Sequence, residues 1–164
     1  MTLTPRIECS ADGKTYTSLP DLKAKLSVND FHDEAVFIAV GRLLTASHQP
    51  VPGEGVDYTL TYRINSGGVE ITAKGSGATQ HPFRLIVPII SSSTEHFSLT
   101  SPQSALILKK GGNLTVTTDA AQGFEAIPAE RTFNLVPGFG CVPFTVLLQP
   151  GKETKLTLGL FYNR

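Results

Sequence analysis

Val56 to Gly75 reads VDYTLTYRINSGGVEITAKG, and its alternation decides the fold. Tyr58, Leu60, Tyr62 and Ile64 share one side of an extended chain while Thr59, Thr61 and Arg63 take the other. Beyond Asn65-Ser66-Gly67-Gly68 the pattern resumes, with Val69, Ile71 and Ala73 set against Glu70, Thr72 and Lys74. Two period-two runs joined by residues that tolerate positive φ predict a β-hairpin with one apolar face and one wet face. A solitary hairpin of this kind is marginal in water, so further strands must cover its apolar side.

The rest of the chain supplies them. Arg6 to Ser10 and Thr15 to Ser18 flank the turn Ala11-Asp12-Gly13-Lys14 and predict a second, smaller hairpin. Leu19 to Asn29 has leucines at helical spacing, but Pro20 and the short length leave it irregular. Ala35 to Leu44 is almost wholly apolar, the pattern of a central strand covered on both faces. Phe83 to Ile90 predicts a core strand in which Pro88, having no N–H, must sit at an edge or a bulge where the strand could change sheets. Short runs at 95–100, 105–110 and 113–118, then 131–136, 142–148 and 154–162, follow at the spacing of an all-β domain, and Asp119 to Arg131 reads as a loop. The pattern predicts an all-β fold: a two-sheet antiparallel β-sandwich of roughly ten to twelve strands, with residues 1–164 forming one domain.

Composition narrows the function. The chain has 164 residues, with 14 Lys plus Arg balanced by 14 Asp plus Glu. Nucleic-acid binding needs a surplus of cations to release counterions from phosphates, and there is none. No apolar run reaches membrane-spanning length. The opening residues lack the charged start and apolar run of a signal peptide, and Arg6 to Ser10 already reads as a strand, so the chain is expected to be a domain cut from a longer, secreted or periplasmic protein. Cys9 and Cys141 are compatible with a long-range disulfide or with two buried thiols.

Chemistry-bearing motifs are sparse. Phe31-His32-Asp33-Glu34, with His48, is the densest run of ligand-type residues, but neighbours on an extended chain point apart, so no metal or other cofactor is expected. Glu54, Asp57, Glu70, Glu125 and Glu130 show no spacing that forces a catalytic carboxylate pair. There is no Gly-x-Ser-x-Gly elbow, and Gly138-Phe139-Gly140 opens no phosphate-binding helix. A sugar-binding surface would use exposed aromatic rings with polar neighbours. With no Trp in the chain and Tyr58 and Tyr62 on the core face, the rim candidates are Tyr16, His81, Phe83, His96, Phe139 and Tyr162. Tyr16, His81 and Tyr162 are taken as the ligand-binding candidates, and no catalytic residue is assigned.

The opening Asp12-Gly13 with Tyr16 and Ser18, then YTLTYRI, GGVEITA and FRLIVPII, resembles the β-sandwich domains that follow an α-helical toroid in heparinase II/III-type polysaccharide lyases. The resemblance covers about Asp12 to Ile90. It implies a noncatalytic accessory domain of a bacterial carbohydrate-active enzyme, packed on a catalytic partner and bracing or lining its polysaccharide cleft. The family's catalytic Tyr and His motifs have no counterpart here. Two alternatives remain open at this point: a free-standing carbohydrate-binding module, and a structural or adhesive sandwich acting through protein contacts.

Overall fold

The computed structural model describes residues 5–10, 16–17, 27–28, 35–42, 57–76, 82–92, 94–125 and 139–162. Within them the chain forms twelve strands: β1 (Arg6–Ser10), β2 (Tyr16–Thr17), β3 (Ser27–Val28), β4 (Ala35–Arg42), β5 (Asp57–Asn65), β6 (Gly68–Ser76), β7 (Phe83–Ser92), β8 (His96–Ser101), β9 (Ser104–Lys109), β10 (Gly112–Thr118), β11 (Phe139–Leu148) and β12 (Glu153–Tyr162). All pairings are antiparallel. They build a four-stranded sheet, β11-β7-β1-β2, and an eight-stranded sheet, β3-β4-β5-β6-β12-β10-β9-β8. The expected two-sheet β-sandwich is the observed fold.

The hairpin forms as its alternation requires, with Asn65 opposite Gly68 and Asp57 opposite Ser76. Only Ser66 and Gly67 lie in the loop, where the Gly67 amide donates to Asn65 Oδ1 at 2.8 Å. Gly68 closes the turn at φ +145°, and a side chain there would run into the Leu158 carbonyl oxygen, so glycine is needed twice over. Tyr58, Leu60, Ile71 and Ala73 are buried, and Thr59, Arg63 and Lys74 are not.

The two sheets meet through one continuous core. Leu85, Val87, Phe144 and Val146 of the smaller sheet face Ile107, Val116, Leu156 and Ala73 of the larger. Phe144 is the pin. Its ring meets Phe97 of β8 edge-on at 5.9 Å and Phe124 at 5.1 Å, the offset geometry that ring quadrupoles favour. Phe124 reaches that position because Gly123 turns the chain at φ +73°, after which the Phe124 amide bonds the Pro102 carbonyl and the Glu125 amide bonds the Thr145 carbonyl. The described part of the expected loop, Asp119 to Glu125, is therefore fastened to β12 at Asp119, to the β8–β9 turn at Phe124 and to β11 at Glu125.

Four expectations change. Phe83, a rim candidate from its place beside a loop, is 1 % exposed, because Gly75 has no side chain and leaves the space its ring fills. The apolar run that became β4 lies one strand from the sheet's edge, since apolarity reports covered faces and not lateral position. Pro88 does not move β7 between sheets: β7 pairs with β11 along its whole length, and Pro88 stands opposite Pro143. On its other side the described part of β1 pairs as far as Arg6 opposite Ile86. The last strand, expected to close one face, runs between β6 and β10 inside the larger sheet. The expected turn at 11–14 and strand at 131–136 lie outside the described residues, as does most of 19–29.

The register also answers the cysteine question. Cys9 stands opposite Phe83 on one flank of β7 and Cys141 opposite Ile90 on the other. Seven residues of β7 separate those positions, about 23 Å of strand, whereas a disulfide needs Cα atoms within about 7 Å. Cys141 is a fully buried thiol.

Two outcomes follow from this packing. Phe144→Ala should cost about 3–5 kcal/mol in denaturant unfolding, while Leu99→Ala, at a half-exposed edge position, should cost under about 1 kcal/mol. Reductant should leave the melting temperature unchanged, and a large drop would contradict the register of β1 and β11.

Candidate functional site

Every glutamate among the described residues is engaged in an ion pair. Glu8 accepts from Arg6 at 2.8 Å and from Arg84 at 3.1 Å, and Arg84 also reaches Glu125 at 3.3 Å. Glu70 lies between Lys155 at 3.4 Å and Arg63 at 4.0 Å, and Glu153 is 3.7 Å from Lys74. Glu8 thus bridges β1 to β7, Glu70 and Glu153 bridge β6 to β12, and Glu125 ties the segment after β10 to β7. The Asp119 carboxylate instead accepts the Lys155 amide at 2.7 Å. Among the described residues no three His, Cys, Asp or Glu side chains gather as a metal site. The cluster at 31–34 with His48 lies outside the described residues.

Glu95 holds the end of the smaller sheet to the larger one. Its Oε2 accepts from Lys109 Nζ at 2.9 Å and from the Ser92 amide, and Lys109 also donates to the Ile90 carbonyl at 3.1 Å. Burial pushes the Glu95 carboxyl up. Hydrogen bonds from Lys109 and Ser91, the Lys109 charge and the Ser92 amide outweigh it and hold the group below the ordinary carboxylate range. Burial, with Tyr58 alongside, raises the Tyr62 hydroxyl, which stays neutral and faces the core.

The knot borders a shallow cleft of about 210 Å³ between the β9–β10 turn and the end of β12. Its walls are Lys109, Gly111, Gly112, Asn113, Leu160, Phe161 and Tyr162. Gly159 pairs with Gly68, the first residue of β6, so β12 runs on past its partner. Beyond that point only β10 flanks it by strand pairing, with Tyr162 opposite Gly112. Alternation sends Phe161 to the outer face of the sheet, where its ring lies over Gly159, and Tyr162 to the inner face. Tyr162 is 77 % exposed.

A second cleft, of about 220 Å³, opens at the opposite end of the sandwich beside Pro82, Asp119, Gln122, Gln149, Lys152 and Glu153.

Of the sequence candidates, Tyr16 and Tyr162 lie far apart. Tyr162 lines the first cleft. Tyr16 lies in β2 opposite Ser10, beyond the Cys9–Phe83 pair and so at the Gly75 end of the sandwich, about 30 Å of strand from Tyr162; its side chain is outside the described set. His81 lies outside the described residues. His96 is exposed on β8. Sequence reasoning missed Leu160 and Phe161, whose signal was their run to the end of a strand longer than its partner.

Two stacked antiparallel sheets with no helix among the described residues, carboxylates engaged in ion pairs and an exposed aromatic strand end define a β-sandwich domain. The chain belongs to the ulvan lyase C-terminal domain family, which it matches over residues 1–161. It is 29 % identical over 147 residues to the broad-specificity ulvan lyase of Formosa agariphila, covering 90 % of this chain and 23 % of that enzyme. The chain thus spans under a quarter of the length of the curated relative it matches. No helix among the described residues is long and apolar enough to cross a membrane.

Because its pKa is lowered on folding, Glu95 contributes stability that is present above the ordinary carboxylate value, 4.5, and lost as pH falls through its lowered folded value. Glu95→Gln should therefore melt below wild type at neutral pH, and the two curves should converge on acidification. Equal melting temperatures at neutral pH would remove the knot from the stability of the fold.

Proposed function

We propose that this chain is a noncatalytic accessory domain of a bacterial ulvan-degrading lyase, secreted or periplasmic, that packs against a catalytic domain and braces or lines its polysaccharide cleft. The observation that carries the reading is the family match along nearly the whole chain, joined to the fraction of the relative that it spans. In a relative of which the matched region is only 23 %, this region has a large neighbour on the same polypeptide. The ion pairs support the noncatalytic part. Glu8, Glu70, Glu125 and Glu153 sit against cations on the sheets and are not paired with one another across a cleft.

The test is direct. Purified chain incubated with ulvan should give no rise in ultraviolet absorbance from unsaturated sugar ends. Deleting the corresponding region from the Formosa agariphila enzyme should lower its stability or its turnover of polymer. Cleavage by the isolated chain would refute the noncatalytic assignment, and a deletion without effect on either property would refute the bracing role.

A further inference from the structure

The four-stranded sheet leaves part of the larger sheet's inner face uncovered. Along β5 that face runs from buried Tyr58 and Leu60 through half-buried Tyr62 to Ile64, which is 41 % exposed. Along β12 it runs from buried Thr154 and Leu156 through Leu158 to Leu160 at 44 % and Tyr162 at 77 %. The exposed ends are neighbours. Ile64 pairs with Val69, Val69 with Leu158, and the Leu160 amide bonds the Gly67 carbonyl at 3.3 Å. Ile64, Val69, Leu160 and Tyr162 thus form one strip that has the parity of core residues. Among the described residues no charged side chain interrupts it, and the cation at its border, Lys109, is held by Glu95 and the Ile90 carbonyl.

We propose that this strip is the surface by which the domain docks on the catalytic portion of its own lyase, with Tyr162 as the anchor. The inference rests on the reading above and adds to it the face and the residues. Its occupant follows from three observations. The strip is aliphatic with one aromatic and carries no charge, which fits an apolar protein surface and not a chain of hydroxylated sugars. The matched relative has more than three quarters of its length outside this region, so a protein neighbour is present on the same polypeptide. Covalent linkage keeps that neighbour at high effective concentration, and a patch too small for a stable complex between separate proteins suffices between domains. Tyrosine supplies contact area at low entropic cost, which is why exposed Tyr162 is the expected hot spot.

The experiment adds this chain in trans to the Formosa agariphila lyase truncated before its shared region, and measures binding by calorimetry and amide exchange. Wild type should bind, with amides of Leu158 to Tyr162 gaining protection. Tyr162→Lys should weaken binding at least tenfold, whereas Leu99→Asp, at a half-exposed position on β8 outside the strip, should change it less than twofold. Ile64→Lys is the second variant, and circular dichroism confirms that each remains folded. Binding that is indifferent to Tyr162 and Ile64 but present would overturn the strip and spare the bracing role. No binding of wild type would overturn both. Two further results would also overturn the docking assignment: concentration-dependent dimerisation of the chain abolished by Tyr162→Lys, or retention on ulvan-substituted gel lost in Tyr162→Ala.

Discussion

Everything in this fold answers to a mismatch of areas: four strands must cover the apolar side of eight. Where β7 and β11 lie against β9, β10, β12 and β6 the covering is complete, and Phe144, Ile107, Val116 and Leu156 are sealed from solvent. Where the smaller sheet gives out, residues of identical parity and similar chemistry are left in water. Ile64 and Leu160 differ from Leu60 and Leu156 only in how far along the strand they stand. The hydrophobic effect that closes the core therefore also creates the strip, since exposed apolar surface gains by being covered wherever a partner is at hand.

The polar chemistry is spent mainly on holding strands together. Glu8, Glu70, Glu95, Glu125 and Glu153 connect strands or loops far apart in sequence. The half-buried pairs Glu8–Arg84 and Glu95–Lys109 matter more than the exposed Glu153–Lys74 pair, which water and salt screen. Among the described residues these pairs tie the sheets and their loops into one framework.

Much of the architecture was legible because alternation is a local property. Tyr58 to Ala73 announces its faces and its turn without reference to anything distant, and β1 has the bounds its residues suggest. What could not be read was reach. A period-two pattern tells which side a residue faces but not whether the opposite sheet extends that far, so Ile64 looked like core and Phe83 looked like rim. Gly75 was the one local clue to Phe83, a missing side chain in an otherwise regular strand. Tyr162 was singled out for lying at a strand end, and its exposure agrees with that; the company of Leu160 and Phe161 emerged only once β12 was seen to outrun β6. Likewise the separation of Cys9 from Cys141 is a fact of register, invisible until both strands are paired with β7.

Pro88 facing Pro143 has a wider meaning for how the molecule behaves among other proteins. Two imino acids directly opposite one another cannot exchange hydrogen bonds, so they must occupy a wide, non-bonded rung, and that fixes the phase of every rung between β7 and β11. In that phase Pro143 turns its missing donor away from β7, to the side on which no described strand pairs with β11, and the Thr145 carbonyl beside it is already taken by the Glu125 amide. An extended peptide laid along that side of β11 would meet no donor at Pro143 and an already engaged carbonyl at Thr145, which weakens any ladder built there.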